Sequence, residues 1–514
     1  MKESIPPILR PEQQPPIRLG ELASAFGLSL DFGAEVLISG ISMNTADLRE
    51  GDIFIAMPGL KTHGARFANK AVESGAVAII TDAAGLDLLP SFEPPIPTLR
   101  LESPRTRLGE LAAFVYGNQP GSMPTMFGTT GTNGKTSTTY LLDAILRQAG
   151  EITGLTSTAE RHIAGSRIVS RLTTPESTEM HALLARMREK RCTAISIEVS
   201  AQALTQLRVD GILFDVAGFT NLSHDHFDDY PDFDTYLREK AALFTPAHAK
   251  RGVVSLDSDF GEKFLALAQI PCVTISSNPA RKGDWNLTVT DRDRTGYTFL
   301  LLGPAGQSIS SKVPLIGDHM AANAGLALVM AIEAGYDWQL LAKGIARGID
   351  AYLPGRTELV SGPIGPAVFV DFGHSPDAFL HTLQSVREVT TGRVIMVFGA
   401  DGDRDASKRP DMARIAIENS DLLVVTDHHP RFEDPASIRR TLVEAALLVA
   451  DGKSVFEVSP PEQAIRRAIG LAESGDSILW AGPGHQDYRD IQGKRTVYSA
   501  RVEARTALKE FGWP

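Results

Sequence analysis

Cysteine is scarce in this chain of 514 residues, which contains only Cys192 and Cys272. Two cysteines cannot form a disulfide framework or a cysteine-rich zinc site, so both kinds of stapled fold are excluded. So few thiols are consistent with a reducing cytoplasm, where we expect the protein to reside. The length predicts roughly three domains. A chain of this size can bury several hydrophobic cores without covalent or metal staples.

Long apolar runs are missing as well, and positive charge is not in excess. The most apolar helical stretch, 321–333, includes Asn323 and is too short to span a bilayer. The N-terminal segment 1–22 is interrupted by prolines and lacks the apolar core of a signal peptide. Lysine and arginine number 51 against 62 aspartates and glutamates, which gives a formal net charge of −11. This balance argues against a protein that coats nucleic acid or binds an anionic membrane, and we expect neither partner.

What the chain does contain is an alternation of short apolar runs with helical stretches. Such alternation predicts an α/β fold in which buried parallel strands are covered by helices on both faces. Because ligands bind such sheets at the carboxyl ends of strands, we expect functional residues directly after the apolar runs. The clearest runs of the C-terminal part are 367–370, 394–398, 422–425 and 477–480. Changes in pattern predict three domains with the bounds 1–105, 106–350 and 351–514.

A glycine-rich segment in the second of these domains has the pattern of a phosphate-binding loop. Residues 128–136 read Gly-Thr-Thr-Gly-Thr-Asn-Gly-Lys-Thr, after the apolar run 125–127 and before a helical pattern that ends near Gly150. Backbone N–H groups at the start of such a helix bind phosphate oxygens, and the helix dipole favours the anion. The strict pattern has glycine at position 129, where this chain has threonine. Even so, three glycines between a strand and a helix favour a nucleotide site over an ordinary surface turn.

ATP with Mg²⁺ is the expected ligand of this loop. Lys135 would neutralise the β- and γ-phosphate oxygens, and the hydroxyl of Thr136 would bind Mg²⁺. The second domain is therefore predicted to be a P-loop ATPase domain. The residues expected to hold ATP are Gly131, Thr132, Asn133, Gly134, Lys135 and Thr136.

The segment Gly-Thr-Asn-Gly-Lys-Thr resembles the ATP loop of the Mur ligases and of their folylpolyglutamate synthetase relatives. Later segments, from about Asn44 to Ala507, resemble the E-type Mur ligases. The resemblance implies a UDP-binding N-terminal domain, a central ATPase domain and a Rossmann-like C-terminal domain that brings an amino acid. It also implies an acyl-phosphate mechanism, in which ATP phosphorylates a carboxylate and an amine displaces the phosphate. Such chemistry requires metal and cations that screen two anions rather than a covalent nucleophile.

The resemblance further implies what is joined. The expected reaction adds the third amino acid to UDP-N-acetylmuramoyl-L-alanyl-D-glutamate in peptidoglycan precursor synthesis. The expected partners are therefore this nucleotide-linked dipeptide and a free amino acid, and we expect the enzyme to act as a monomer.

Three residues are implied by the resemblance to support catalysis, although each has an ordinary explanation when taken alone. Glu198 would otherwise be a strand end or a helix cap, His226 a hydrogen-bonding loop residue and Lys240 a solvated helical lysine. The resemblance makes Glu198 and His226 ligands of Mg²⁺, a metal suited to assisting phosphoryl transfer. It makes Lys240 an N6-carboxylysine, an anion formed with CO₂ that supports a second Mg²⁺. Carbamylation requires the uncharged amine, which desolvation favours.

Further residues match the family on the ATP side and on the side of the sugar-peptide substrate. Arg356 would reach the γ-phosphate when the domains close, which would also exclude water. Asn44 stands near the expected uridine, but the family's Asp-Ser-Arg is Asn44-Thr45-Ala46 here, so uridine must be held differently or by backbone. The other matching residues are Asn323 and His374 on the ATP side, and Thr173, Thr174, Ser200, Gln206 and Arg208 on the substrate side.

The residues expected to hold the incoming amino acid differ from those of enzymes that use meso-diaminopimelate. Such enzymes typically have Asp-Asn-Pro-Arg where this chain has His-His-Pro-Arg, and Glu where it has Gln486. The loss of acidic partners for a distal ammonium favours L-lysine or L-ornithine. Arg431, however, suits the distal carboxylate of meso-diaminopimelate and would repel a bare ammonium. The choice stays open with a slight preference for L-lysine, and the expected contacts are Arg404, His428, His429, Arg431, Gly482 and Gln486.

Two other interpretations remain. One is a related ligase, either a folylpolyglutamate synthetase or an F-type Mur ligase, which the Gly-Asp-Arg-Asp and His-Pro-Arg segments disfavour. The other is a nucleotide-binding protein without ligase activity, which the missing arginine near Thr45 and the altered 201–202 would suit. Against the latter, the residues expected to carry the chemistry are all retained, namely Lys135, Thr136, Glu198, His226 and Lys240.

Overall fold

The structure is a computed structural model that describes residues 8–59, 61–222 and 232–514. The chain divides into two compact units. We call the first unit Lys2–Trp285 with Leu326–Leu341, and the second unit Asn286–Gly325 with Ala342–Pro514. Among the described residues, no helix is both long enough and apolar enough to cross a membrane.

The first unit begins with a small parallel sheet in the strand order β3-β4-β5-β6. Ile53, Ile55, Ile80 and Leu99 are buried on these strands, and Leu108 of the following helix belongs to the same core. The elements are β1 (Ile17–Arg18), α1 (Leu19–Phe26), β2 (Leu37–Ile38), β3 (Gly40–Ser42), β4 (Asp52–Ala56), α2 (Ala68–Glu73), β5 (Ala76–Thr81), α3 (Ala83–Leu86), β6 (Thr98–Arg100) and α4 (Pro104–Val115).

A larger sheet follows in the first unit, with the strand order β10-β9-β8-β11-β7-β12-β13-β14. The strands from β8 to β14 in that order are parallel, and β9 and β10 add an antiparallel edge. The elements are β7 (Thr125–Thr130), α5 (Lys135–Gln148), β8 (Thr153–Thr156), β9 (Glu160–Ile163), β10 (Ser166–Val169), α6 (Ser177–Glu189), β11 (Ala194–Glu198), α7 (Ala201–Thr205), β12 (Phe214–Phe219), α8 (Phe233–Ala241), β13 (Ala249–Ser255), α9 (Gly261–Leu267) and β14 (Cys272–Ser276).

The order of this sheet determines which loops become neighbours. Strand β7 lies between β11 and β12, so the segments that follow these three strands meet at one edge of the sheet. The strand interiors are apolar because both faces are covered, as Phe127, Ile195, Ile197 and Phe214 illustrate by being fully buried.

The second unit contains an antiparallel meander, β15 to β17, and a sheet in the order β18-β19-β23-β20-β21-β22 whose last five strands are parallel. The meander consists of β15 (Trp285–Asp293), β16 (Gly296–Leu302) and β17 (Ser308–Val313). The next two helices, α10 (Asp318–Glu333) and α11 (Trp338–Gly344), each contain residues of both units. The remaining elements are β18 (Glu358–Leu359), β19 (Ala367–Asp371), α12 (Pro376–Glu388), β20 (Val394–Phe398), α13 (Arg409–Glu418), β21 (Leu422–Val425), α14 (Pro435–Leu447), β22 (Ser454–Glu457), α15 (Pro461–Leu471), β23 (Ser477–Ala481), β24 (Tyr488–Ile491), β25 (Lys494–Val497) and α16 (Ala500–Glu510).

The α/β fold predicted from the sequence is confirmed. The four apolar runs of the C-terminal part form β19, β20, β21 and β23, with helices between consecutive strands. Alternation of parallel strands and helices gives this sheet a Rossmann-like construction. The domain bounds at 105 and 350 remain predictions.

Candidate active site

The phosphate-binding loop lies between β7 and α5 and depends on two glycines. Gly131 has a φ of +144° and Gly134 a φ of +84°, values that residues with a side chain rarely adopt. A Cβ atom on Gly131 would also lie 1.9 Å from Oγ1 of Thr220. Gly134 caps α5, which begins at Lys135, so the N–H groups of the first helical turn are directed at the loop. This arrangement fits a bound phosphate chain.

Two residues after β12 hold the loop in place. Asn221 accepts hydrogen bonds from the backbone N–H groups of Thr132, at 2.9 Å, and Asn133, at 3.0 Å. Thr220 donates its hydroxyl to the carbonyl of Asn133 at 2.6 Å. The sequence analysis did not assign a function to either holding residue. Their signal was their position directly after an apolar run, at the carboxyl end of a strand next to β7.

Two lysines of the predicted catalytic set converge on this loop. Nζ of Lys135 donates to the carbonyl oxygens of Gly131, at 3.0 Å, and Thr132, at 2.8 Å. Nζ of Lys240 donates to the same oxygen of Gly131 at 2.8 Å and lies 4.2 Å from the ring centroid of Tyr236. Lys240 is only 1% exposed, so the interpretation of this residue as a solvated helical lysine is wrong.

The predicted metal ligands Thr136 and Glu198 lie side by side. The hydroxyl of Thr136 donates to Oε2 of Glu198 at 3.0 Å. Thr158, which the sequence analysis missed, donates to the same carboxylate through its backbone N–H at 2.9 Å and its hydroxyl at 3.1 Å. Paired hydroxyl and carboxylate oxygens are suitable ligands for Mg²⁺. His226, the third predicted ligand, lies outside the described residues.

Three of the residues predicted to bind the sugar-peptide substrate adjoin this pair. Thr174 donates its hydroxyl to the carbonyl of Glu198 at 2.8 Å and accepts the N–H of Ser200 at 3.2 Å. Thr173 accepts a hydrogen bond from the hydroxyl of Thr158 at 3.0 Å. Ser200 caps α7 through a hydrogen bond from the backbone N–H of residue 203. The structure therefore brings Thr173, Thr174 and Ser200 to the edge of the sheet that carries Glu198.

Arg208 and Gln206 form a second polar group close by. Nε of Arg208 lies 2.8 Å from a carboxylate oxygen of Glu176, and its Nη2 donates to Oε1 of Gln206 at 2.6 Å. Arg105 lies 2.7 Å from the other oxygen of Glu176. A substrate anion at Arg208 would therefore compete with an internal carboxylate.

The predicted uridine-side residue Asn44 is exposed in the N-terminal part of the first unit. Its Nδ2 donates to Asp47 at 3.0 Å. Arg171 pairs with the same aspartate at 3.1 Å. An arginine from a distant part of the chain thus lies beside the loop in which the family's arginine is missing, and spacing in the sequence offered no signal for it.

In the second unit, the residues predicted to hold the amino acid follow three adjacent strands. Strands β23, β20 and β21 are neighbours in the sheet. Gln486 and Gly482 come after β23, Arg404 comes after β20, and the pair His428 and His429 comes after β21. The carboxyl ends of parallel strands meet at one edge, so these loops form one cluster.

Within this cluster a carboxylate that the sequence analysis had not assigned takes a central place. Oδ1 of Asp401 lies 2.7 Å from Nδ1 of His428, and Oδ2 lies 3.5 Å from Nη2 of Arg431. Burial alone would raise the pKa of Asp401, but the hydrogen bond from His428 and the neighbouring positive groups hold it well below its usual range. Asp401 is therefore a carboxylate at neutral pH. Its signal in the sequence was its position just after the run that forms β20.

The second histidine of the cluster is neutral. Burial, and then the nearby His428, lower the pKa of His429 to about 4. Its Nδ1 accepts the backbone N–H of Asp490 at 2.9 Å, so its Nε2 carries the proton and donates to Oε1 of Gln486 at 2.8 Å. The ring of His429 also stacks on Tyr488. Arg404, in contrast, is exposed on the loop after β20.

Two of the three residues of the second unit predicted for the ATP side, Arg356 and His374, lie next to Phe372. The guanidinium of Arg356 lies 4.3 Å from the ring centroid of Phe372. His374 is exposed, and its Nδ1 lies 2.9 Å from the carbonyl oxygen of Phe372. Asn323 is buried in α10. The roles of Arg356, His374 and Asn323 toward ATP remain predictions.

Models of protein families match most of the chain. Residues 37–116 match the model described as "Mur ligase family, catalytic domain". Residues 129–331 match "Mur ligase middle domain", and residues 355–484 match "Mur ligase, glutamate ligase domain". The resemblance stated from the sequence is thereby confirmed.

Individual proteins agree with these models. A UDP-N-acetylmuramyl-tripeptide synthetase of Leifsonia xyli subsp. xyli is 48% identical over 511 residues, covering 99% of both chains. A UDP-N-acetylmuramoyl-L-alanyl-D-glutamate–2,6-diaminopimelate ligase of Streptomyces coelicolor is 39% identical over 498 residues, covering 96% of each. A solved structure of a ligase with the latter name has a TM-score of 0.70 at 26% identity and covers 97% of this chain and 100% of its own. The chain therefore belongs to the Mur ligase family of ATP-dependent ligases.

Proposed function

We propose that this ligase attaches an amino acid to the glutamate carboxylate of UDP-N-acetylmuramoyl-L-alanyl-D-glutamate, as the third residue of the peptidoglycan peptide. The observation that carries the proposal is the near-complete match to the tripeptide synthetase of Leifsonia xyli subsp. xyli. This similarity favours a tripeptide-forming ligase over a folylpolyglutamate synthetase or an F-type Mur ligase.

ATP binding is assigned to the loop between β7 and α5. The N–H groups at the start of α5 would bind the phosphate oxygens, and Lys135 would neutralise the oxygens of the β- and γ-phosphates. Lys135 is already directed to the loop by its hydrogen bonds to Gly131 and Thr132. Asn221 and Thr220 support this assignment because they hold the loop from the neighbouring strand.

Magnesium is assigned to Thr136 and Glu198, with His226 as a further predicted ligand. The hydroxyl oxygen of Thr136 and Oε2 of Glu198 lie 3.0 Å apart, at the same edge of the sheet as the loop. Bound there, Mg²⁺ would supply the charge that screens ATP from the substrate carboxylate. Thr158 would orient the carboxylate of Glu198 through its two hydrogen bonds.

The proposed chemistry has two steps. A carboxylate oxygen of the substrate attacks the γ-phosphorus of ATP, ADP leaves, and an acyl phosphate is formed. The amine of the incoming amino acid then attacks the acyl carbon, the bond to phosphate breaks, and the amine loses a proton. Lys135 would hold the phosphate oxygens during the first step, and Lys240, as a carbamate, would carry negative charge beside the loop.

Two kinds of amino acid are candidates for the added residue, and a different observation favours each of them. The relatives named as diaminopimelate ligases and the retained Arg431 favour meso-diaminopimelate. The exchange of Asp, Asn and Glu for His428, His429 and Gln486 removes two acidic side chains and favours an amino acid with a single ammonium on its side chain, such as L-lysine or L-ornithine.

The direct test is phosphate release by the full chain with ATP, Mg²⁺ and UDP-N-acetylmuramoyl-L-alanyl-D-glutamate. L-lysine, L-ornithine and meso-diaminopimelate are supplied in turn, with L-alanine as the control. We expect release that requires both the nucleotide-linked dipeptide and one of the diamino acids. Folded protein that binds ATP but releases no phosphate with any of them would contradict the proposal and favour a non-catalytic relative.

A substitution at the proposed metal site gives a second test. Glu198→Gln keeps the size of the side chain but removes the negative charge beside Thr136. We expect the Mg²⁺ concentration for half-maximal phosphate release to rise by about tenfold or more. Glu110→Gln, an exposed change on α4, serves as the matched control. If the Mg²⁺ dependence of Glu198→Gln is the same as that of the wild type, Glu198 is not a ligand of the metal.

A further inference from the structure

Asp401 alters the charge of the amino-acid cluster in the second unit. Among the residues compared above, acidic side chains are absent at positions 428, 429 and 486. The structure shows a carboxylate that enters the cluster from another strand instead. Asp401 hydrogen-bonds His428 at 2.7 Å and faces Arg431 at 3.5 Å.

The consequence for Arg431 is that it already has an anionic partner. Its retention was the main argument for meso-diaminopimelate, because a guanidinium suits a distal carboxylate. Here a distal carboxylate would have to approach a guanidinium that faces Asp401, and it would meet that second carboxylate at short range. Like charges in a partly buried site repel strongly. The side chains of Asp401 and Arg431 are both only 23% exposed, so solvent screens this repulsion incompletely.

The same pair removes the argument against an ammonium. Arg431 alone would repel a cationic side chain, but with Asp401 beside it the two charges cancel. A carboxylate offers about four acceptor positions, of which His428 and Arg431 use only part. A side-chain ammonium can therefore donate to Asp401 without facing an uncompensated positive charge.

The other residues of the cluster offer few groups that could bind the distal ammonium and carboxylate of meso-diaminopimelate. His429 is neutral, and both of its ring nitrogens have hydrogen-bond partners, Asp490 and Gln486. Asp401, His428 and His429 are close enough to suggest a metal site, but the occupied nitrogens of His429 argue for a hydrogen-bonded cluster instead. Arg431 is fixed in position, since the left-handed backbone at this residue (φ of +50°) is held by hydrogen bonds to Asp490 and Gln492.

We propose that Asp401 is a specificity-determining residue of this pocket, which by pairing with Arg431 selects an amino acid whose side chain ends in an ammonium and carries no distal carboxylate. This inference rests on the proposed function and deepens it. It assigns the choice between the two candidates to a residue outside the motif in which the family's diaminopimelate contacts lie.

The test compares wild-type enzyme with Asp401→Asn and Arg431→Ala for phosphate release with L-2,4-diaminobutyrate, L-ornithine, L-lysine and meso-diaminopimelate. In the wild type we expect one of the three monocarboxylic amino acids to have the highest kcat/KM. In Asp401→Asn, the ratio of that kcat/KM to the value for meso-diaminopimelate should fall by about tenfold or more, because Arg431 loses its internal partner. In Arg431→Ala the ratio should rise or stay unchanged.

The control is Asp411→Asn, the same exchange on the exposed surface of α13, which should leave the ratio unchanged. ATP affinity measured for each variant reports on folding independently of the amino acid. A wild type that prefers meso-diaminopimelate, or an unchanged ratio in Asp401→Asn, would overturn the inference while leaving the ligase function intact. Release with none of the four amino acids would overturn the proposed function itself.

Discussion

Lys135→Ala is expected to lower phosphate release from ATP by about a thousandfold. The ammonium of Lys135 lies at the start of α5 and bonds the carbonyl oxygens of Gly131 and Thr132, so it is positioned where the terminal phosphates would bind. No other residue of the loop 131–136 carries a positive charge. Without Lys135 the charge that develops during phosphoryl transfer lacks its nearest counter-charge.

The measurement is steady-state phosphate release, with thermal unfolding recorded for the same preparations. Lys190→Ala removes an exposed lysine after α6 and serves as the control for the loss of one positive charge. We expect the unfolding temperature of Lys135→Ala to stay close to that of the wild type, since Asn221 and Thr220 hold the backbone of the loop independently of Lys135. Retention of more than a tenth of the wild-type rate would contradict the assignment of this loop to catalysis.

The second large effect is expected for Lys240→Met, which should lower the rate by about a hundredfold or more. Lys240 is nearly fully buried beside Gly131 and the ring of Tyr236. Methionine keeps the apolar body of the side chain, ends one atom earlier than lysine and cannot add CO₂. Carbamylation joins the nitrogen of lysine to the carbon of CO₂. Starting from the ammonium, two protons are lost, so a negative charge replaces a positive one.

The carbamate itself is tested by the supply of CO₂. Wild-type enzyme assayed in CO₂-depleted buffer should lose activity and recover it when bicarbonate is added, whereas the residual activity of Lys240→Met should not respond. A wild type whose rate is independent of bicarbonate, together with an unmodified Lys240 in the intact-protein mass, would show that the ammonium form is the working one.

The sequence predicted those parts of the site that are local in the chain. Glycines, a lysine and a hydroxyl within nine consecutive positions indicated the loop between β7 and α5, because a phosphate-binding turn is built from neighbouring residues. The position of Glu198 at the end of an apolar run was also local information, but its role as a metal ligand was implied only by the family resemblance. Residues that come together only through the strand order were missed. Asn221 reaches the loop because β12 lies next to β7, and Asp401 reaches Arg431 because β20 lies next to β21.

Burial was the second property that the sequence did not reveal. The segment around Lys240 reads Arg-Glu-Lys, which is typical of a solvated helix face, yet the helix presents this one lysine to the loop. Arg171 is similar, because its pairing with Asp47 joins residues 124 positions apart. Neither arrangement follows from periodicity, since both depend on how separate elements pack.

The carbonyl oxygen of Gly131 accepts a hydrogen bond from Lys135 and from Lys240. This shared acceptor would connect nucleotide binding with the carbamylation of Lys240. A bound nucleotide would draw Lys135 toward phosphate, and carbamylation would leave the nitrogen of Lys240 with one N–H in place of three. Each event would weaken the hydrogen bonding at the same oxygen, so the two would be thermodynamically linked. By reciprocity, whatever factor carbon dioxide applies to the affinity for nucleotide, nucleotide must apply to the affinity for carbon dioxide. A single peptide oxygen would thus make the enzyme's nucleotide affinity depend on the dissolved gas around it.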